Sequence, residues 1–134
     1  MSISIPDISW IELSDTDGDG DLDLFVASST YVAGGIYWFK NFGNGTFGSS
    51  MTLMNGAAPG QPNCHQIILE DIDNDNLIDV LGVSETSDVV FYYPNSGSGS
   101  FLVKINIFGI NESGGVHNVA AGDIDNDGIT EVII

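Results

Sequence analysis

Apolar residues in this 134-residue chain come in short bursts divided by Gly, Asn, Ser, Pro and Asp. The bursts are rich in β-branched and aromatic side chains, which suit a pleated, half-buried surface. Eight of them form two matching sets of four. Ile8–Leu13, Leu24–Ala27, Gly35–Phe39 and Met51–Met54 predict the strands of a first unit. Ile67–Leu69, Val80–Val83, Val89–Tyr93 and Leu102–Phe108 predict those of a second. Gly43-Asn-Gly45 and Gly97-Ser-Gly99 predict hairpin turns, because such turns need residues that accept positive φ. A helical period is not sustained anywhere, and 17 glycines oppose one. The pattern therefore predicts an all-β protein of short antiparallel strands.

The units repeat in detail. Ile36-Tyr-Trp-Phe-Lys-Asn41 aligns with Val90-Phe-Tyr-Tyr-Pro-Asn95, and Gly43-Asn-Gly-Thr-Phe47 with Gly97-Ser-Gly-Ser-Phe101. His65 and His117 each stand six residues before an acidic motif, and Ser9 holds that place before the first. Repetition at a period of 50-odd residues, with four short strands per unit, is the size of a propeller blade. We read one repeat domain over 1–134, with units at about 8–62, 63–114 and a partial third at 115–134. That makes about two and a half blades. Propellers close with about four to eight. The chain is therefore expected to be part of a longer protein or to form a homo-oligomer.

Charge sharpens this picture. Nineteen acidic residues face two basic ones, Lys40 and Lys104, for a formal net charge of −17. Such a surface is a poor partner for nucleic acid, which is held by Lys and Arg. Membrane insertion is not expected either, since no apolar run approaches the ~18 residues of a span. The N-terminal residues lack the basic region of a signal peptide. Cys64, alone in the sequence, cannot form a disulfide within the chain and is expected to be a small buried apolar residue.

The acid is concentrated. Asp15-Thr-Asp-Gly-Asp-Gly-Asp-Leu-Asp23, Asp71-Ile-Asp-Asn-Asp-Asn-Leu-Ile-Asp79 and Asp123-Ile-Asp-Asn-Asp-Gly-Ile-Thr-Glu131 hold 13 of the 19 acidic residues. Each has carboxylates at positions 1, 3, 5 and 9 and an apolar run behind it. So many like charges in nine residues call for a cation, and hard carboxylate oxygens favour calcium. Calcium takes six to eight oxygens in a flexible shell, whereas magnesium demands an octahedron and zinc prefers His or Cys. Side chains at positions 1, 3 and 5 would supply Asp15, Asp17 and Asp19, then Asp71, Asp73 and Asp75, then Asp123, Asp125 and Asp127. The carbonyls of Asp21, Leu77 and Ile129 at position 7 would add one oxygen each. Asp23, Asp79 and Glu131 at position 9 would close the shell. Up to three calcium ions per chain are expected, bringing the formal charge from −17 to −11, since each adds two positive charges. Position 6 needs a left-handed residue, and Gly20, Asn76 and Gly128 stand there. An EF-hand is excluded, because its position 12 would fall on Val26, Gly82 and Ile134 in place of Glu.

Taken together, the acidic nonapeptide, the apolar strand, the aromatic strand and Asn-x-Gly-x-Gly-x-Phe resemble the FG-GAP and VCBS-type repeats of integrin-α-like β-propellers. The resemblance covers about residues 8 to 134. Ile36-Tyr-Trp-Phe-Lys-Asn-Phe-Gly-Asn-Gly-Thr-Phe47 is closest to the bacterial VCBS form. It implies four-stranded blades with a calcium loop between two strands, on the positions named above. Asn76 and Glu131 depart from the family pattern. It also implies an extracellular or cell-surface protein for adhesion or ligand recognition, with a protein or carbohydrate partner.

The remaining residues are read as structural. His65 and His117 recur with the repeat, so they are expected to hydrogen-bond a neighbouring turn and not to do catalysis. Trp38 and Tyr92 occupy equivalent positions and are expected to pack between blades. Trp10, Tyr31, Tyr37 and Tyr93 could stack on a sugar ring if exposed. Asn44 and Asn111 head glycosylation sequons in expected turns. A catalytic constellation is not visible, so the expected function is non-enzymatic binding. The alternatives are a self-assembling filament or oligomer, and a non-catalytic part of a larger polysaccharide-acting enzyme.

Overall fold

The computed structural model describes residues 4–30, 34–56, 63–109 and 115–134. Within them the chain is all-β, and every strand pairing is antiparallel. β1 (Ile8–Ser14), β2 (Asp23–Ser28), β3 (Gly35–Phe39) and β4 (Met51–Asn55) form a four-stranded meander. β5 (Gln66–Glu70), β6 (Asp79–Ser84), β7 (Val89–Tyr93) and β8 (Ile105–Gly109) form a second. β9 (Ala120–Gly122) and β10 (Glu131–Ile133) pair as a two-stranded sheet. The repeat extends to irregularities. The β3–β4 ladder shifts register between Ile36 and Tyr37, and the β7–β8 ladder shifts between the equivalent Val90 and Phe91.

Seven of the eight expected strands lie where the pattern puts them, to within a residue or two. The eighth needs correction: β8 begins at Ile105, not at Leu102. Asn95 bridges Phe101, and the Leu102 N–H donates to the Pro94 carbonyl, which closes the neck of the hairpin. The chain then swings outward, leaving Val103 86% exposed, before pairing resumes opposite Tyr92. The first unit does the same where Gly48 N–H donates to Lys40 O ahead of Met51. Both hairpin turns use positive φ, at Gly43 and Gly45 and at Gly97, Ser98 and Gly99.

The sheets stack face to face. Phe25, Ala27, Ile36, Trp38 and Met54 of the first meet Cys64, Ile67, Val80, Phe91 and Tyr93 of the second in one buried cluster. The opposite face of the second sheet, with Leu81, Val83 and Val90, packs on Val116 and Val119. β6 is thus covered on both sides and buried throughout, which is why it reads as a nearly continuous apolar run. Gly82 lies under the Phe91 ring, two of whose carbons would sit 2.7 Å from an added Cβ. Trp38 lies between units as expected, stacked on Phe25 and edge-on to Phe101 of the next unit. Tyr92 plays the equivalent part on the far face of the second sheet. Cys64 is fully buried, and burial pushes its thiol up to about 12. Tyr93 is buried and Tyr37 half-buried at their strand positions, while Trp10 is exposed and donates to Glu12 at 2.8 Å. Tyr31 lies outside the described residues.

The first strands of the units lie beside one another, β1 against β5 and β5 against β9, and side-chain hydrogen bonds link their starts. Ser9 Oγ donates to the Cys64 carbonyl at 2.9 Å. The Gln66 amide both donates to Val119 O (3.1 Å) and accepts from Val119 N–H (2.9 Å). A buried amide satisfied at both ends fixes the offset between units more sharply than apolar contact does. No helix among the described residues is long and apolar enough to cross a membrane.

Candidate metal centre

Each acidic nonapeptide forms the turn between the first two strands of its unit, β1–β2, β5–β6 and β9–β10. The turn is held by its own carboxylates. Asp15 Oδ1 accepts from Gly18 N–H (2.9 Å) and Asp19 N–H (3.1 Å), and its Oδ2 accepts from Gly20 N–H (2.9 Å). Asp71 accepts from Asp75 and Asn76, and Asp123 from Asp127 and Gly128, at 2.9–3.1 Å. The position 5 carboxylate then accepts from position 7: Asp21 N–H to Asp19, Leu77 N–H to Asp75 and Ile129 N–H to Asp127. Position 6 is left-handed in all three loops, with φ of 92° at Gly20, 68° at Asn76 and 88° at Gly128. Position 4 is left-handed as well, at Gly18, Asn74 and Asn126. Gly and Asn in that place are the residues that accept this conformation most readily.

The winding brings carboxylates to a point. Ligand oxygens of Asp15, Asp17 and Asp19 lie within 4.8 Å of one another, as do those of Asp71, Asp73 and Asp79 and those of Asp123, Asp125 and Asp127. Carboxylate oxygens so close can hold a metal ion, and an all-oxygen donor set suits a hard cation. In the second loop desolvation is the main cause that raises two carboxylate pKa values. Desolvation, then Asp75 and Asp71, raise the pKa of Asp73. Desolvation also raises that of Asp79, against stabilising N–H bonds from Asn95 and Ile72.

Position 9 has a further task. Asp23 and Asp79 are buried, and each spends both oxygens on protein donors. Asp23 accepts from Thr16 Oγ1 (2.9 Å) and Asn41 N–H (2.8 Å). Asp79 accepts from Ile72 N–H (3.0 Å) and Asn95 N–H (2.8 Å). Glu131 accepts from Ile124 N–H at 2.8 Å. The residue tethers the loop to itself and, in the two complete units, to the end of the third strand. In the second loop Asp79 takes the place expected for Asp75 in the oxygen cluster, whereas Asp23 and Glu131 stand outside theirs. Asp21 leans over Gly43 of the hairpin, which leaves its backbone as its contribution to the loop.

The asparagine ending each aromatic strand completes the tether, a role that sequence reasoning missed. Asn41 Nδ2 donates to Leu22 O and Asn95 Nδ2 to Ile78 O, both at 3.0 Å. Their Oδ1 atoms accept from Gly43 and Gly97 at the hairpin turns. Asn95 Nδ2 also donates to Thr16 O, 2.9 Å away in the loop of the preceding unit.

One neighbour separates the loops. Lys40 Nζ contacts Asp17 Oδ2 and lies 2.9 Å from Asp19 Oδ2. Its hydrogen bond, ahead of smaller effects, lowers the pKa of Asp19. The two carboxylates, Asp17 foremost, raise that of Lys40 in turn.

Away from the loops, His117 Nδ1 lies 3.0 Å from Glu85 Oε1 in the β6–β7 turn, and His65 Nε2 is 3.7 Å from the same oxygen. The expected bond from a repeated histidine to a neighbouring turn is present at His117. Asn44 stands exposed in its turn, accepting from Thr46 N–H, while Asn111 lies outside the described residues.

A family model described as an FG-GAP-like repeat matches residues 15–81 and again residues 71–134. No curated protein and no solved structure matches the chain.

Proposed function

Because the chain belongs to the FG-GAP-like repeat family, we propose that it is a calcium-stabilised β-propeller segment serving extracellular binding or adhesion, without catalysis of its own. One observation carries the metal: three acidic turns in identical register, each drawing three carboxylates to within 4.8 Å. Calcium at each loop would draw oxygens from positions 1 and 3, from position 5 in the first and third loops and position 9 in the second, and from the position 7 carbonyl. It would cancel the mutual repulsion of the loop and fasten the first strand of a unit to its second. A protein or carbohydrate ligand is the expected partner, outside the cell or at its surface.

The test is metal content and its coupling to folding. The protein is equilibrated with calcium, desalted and analysed for bound metal, then melted with and without excess chelator. We expect up to three calcium ions per chain and a Tm lowered by several degrees on chelation. An identical melt in both conditions, with no retained metal, would refute the proposal.

A second reading, assembly with further units of the same kind, is favoured by the outer face of the first sheet. Ile11 there is 54% exposed, whereas its equivalent Ile67 is fully buried against the first unit. Such a face fits another sheet of the repeat, from a longer chain or from a second copy. Mass measurement in calcium decides: a monomer of 14.2 kDa rejects assembly between copies.

A further inference from the structure

The three acidic turns share a sequence pattern but differ in what lies across from them. We propose that Lys40 is a built-in counter-cation of the first loop, competing with the divalent ion and making that loop the weakest of the three calcium sites. This rests on the calcium reading above.

Geometry carries the argument. Lys40 directly follows β3, the strand that Asn41 ties to the first loop. From there its ammonium reaches Asp17 Oδ2 and Asp19 Oδ2, on two of the three carboxylates of the triad. With Lys40 so seated, the Asp17 side chain is only 4% exposed. A calcium ion would take oxygens of those same carboxylates at ~2.3–2.6 Å, where it competes with the ammonium. Expulsion forfeits two charge-assisted hydrogen bonds. The competitor is tethered, so dilution does not remove it.

The second loop has no such competitor among the described residues. The position equivalent to Lys40 is Pro94, which carries no charge. The other basic residue, Lys104, is engaged elsewhere, 4.9 Å from the centroid of the Phe91 ring. The third loop has no basic contact among the described residues. As calcium rises, the second and third loops therefore fill first and the first loop last.

The experiment is a calcium titration by calorimetry on the full chain, comparing wild type with Lys40→Met and Lys40→Arg. Asp19→Asn, which removes a first-loop carboxylate, identifies the binding phase belonging to that loop. Wild type should show one weaker phase, lost in Asp19→Asn. Lys40→Met should tighten it by about tenfold, and Lys40→Arg, which keeps the charge, should leave it weak. Melting supplies a second readout of opposite sign. Lys40→Met should lower Tm in chelator, where the ammonium relieves repulsion, and enlarge the Tm gain on adding calcium. An unchanged or weakened first-loop phase in Lys40→Met overturns the inference. So does an equal Tm loss with and without calcium, the mark of a purely structural lysine. Should Lys40→Met not fold in chelator, Lys40→Gln takes its place under the same criteria. Absence of calcium binding in every variant defeats the calcium reading itself and removes the inference with it.

Discussion

The first and second sheets share their strand order, a register shift between their last two strands and an acidic turn between their first two, yet they differ in burial. β1 has no buried residue, whereas its equivalent β5 opens on the buried Gln66 and Ile67. The difference lies in neighbours, not in the strands. The second sheet is packed on both faces, by the first unit and by Val116 and Val119, while the first sheet is packed on one. Identical local patterns therefore contribute unequally to stability. In a repeat protein much of the folding free energy resides at the interfaces between units.

Mutations at equivalent positions test this directly. The largest effect should come from Phe91→Ala or Ile67→Ala, fully buried between the sheets, at ~2–5 kcal/mol lost in chemical denaturation. Ile11→Ala, equivalent to Ile67→Ala, should cost well under ~1 kcal/mol in the isolated chain, as exposed substitutions do. A large loss at Ile11 would mean that its face is covered in solution. Next comes Gly82→Ala. The new methyl would press on the Phe91 ring, and overpacking of this kind costs ~1–3 kcal/mol.

The paired asparagines give a subtler comparison. Asn95→Ala loses the bond to Thr16 O in the adjacent unit besides those that Asn41 also makes, and it is the more buried of the two. It should cost ~1 kcal/mol more than Asn41→Ala, measured side by side. The smallest effect belongs to Glu85. Its pKa is lowered, chiefly by the hydrogen bond to His117, from an ordinary 4.5. A depressed carboxylate stabilises the fold above its unfolded pKa, and that contribution disappears as pH falls through the lower folded value. Glu85→Gln should therefore lower stability slightly at neutral pH, flatten the acid limb of the stability curve, and match the wild type once pH falls below the folded value.

The repeat, the strands and the acidic turns were readable because each rests on short-range chemistry. Strands follow β-branched runs, turns follow Gly and Asn, and oxygen clusters follow carboxylates at alternate positions. What escaped depends on contacts distant in sequence. Asn95 meets Thr16 across 79 residues, and Gln66 meets Val119 across 53. The tether at position 9 also went unread, because Asp23 and Asp79 look like any other acid until Asn41 and Asn95 reach them. Lys40 was visible as a rare cation, but its approach to Asp17 requires the β2–β3 pairing to fold it back.

The bond from Asn95 to the Thr16 carbonyl has a mechanical consequence. It lashes the acidic turn of one sheet to the hairpin of its successor, so a force separating the sheets must first break it. An ion stiffening the first turn would then raise the rupture force of a joint that it does not touch.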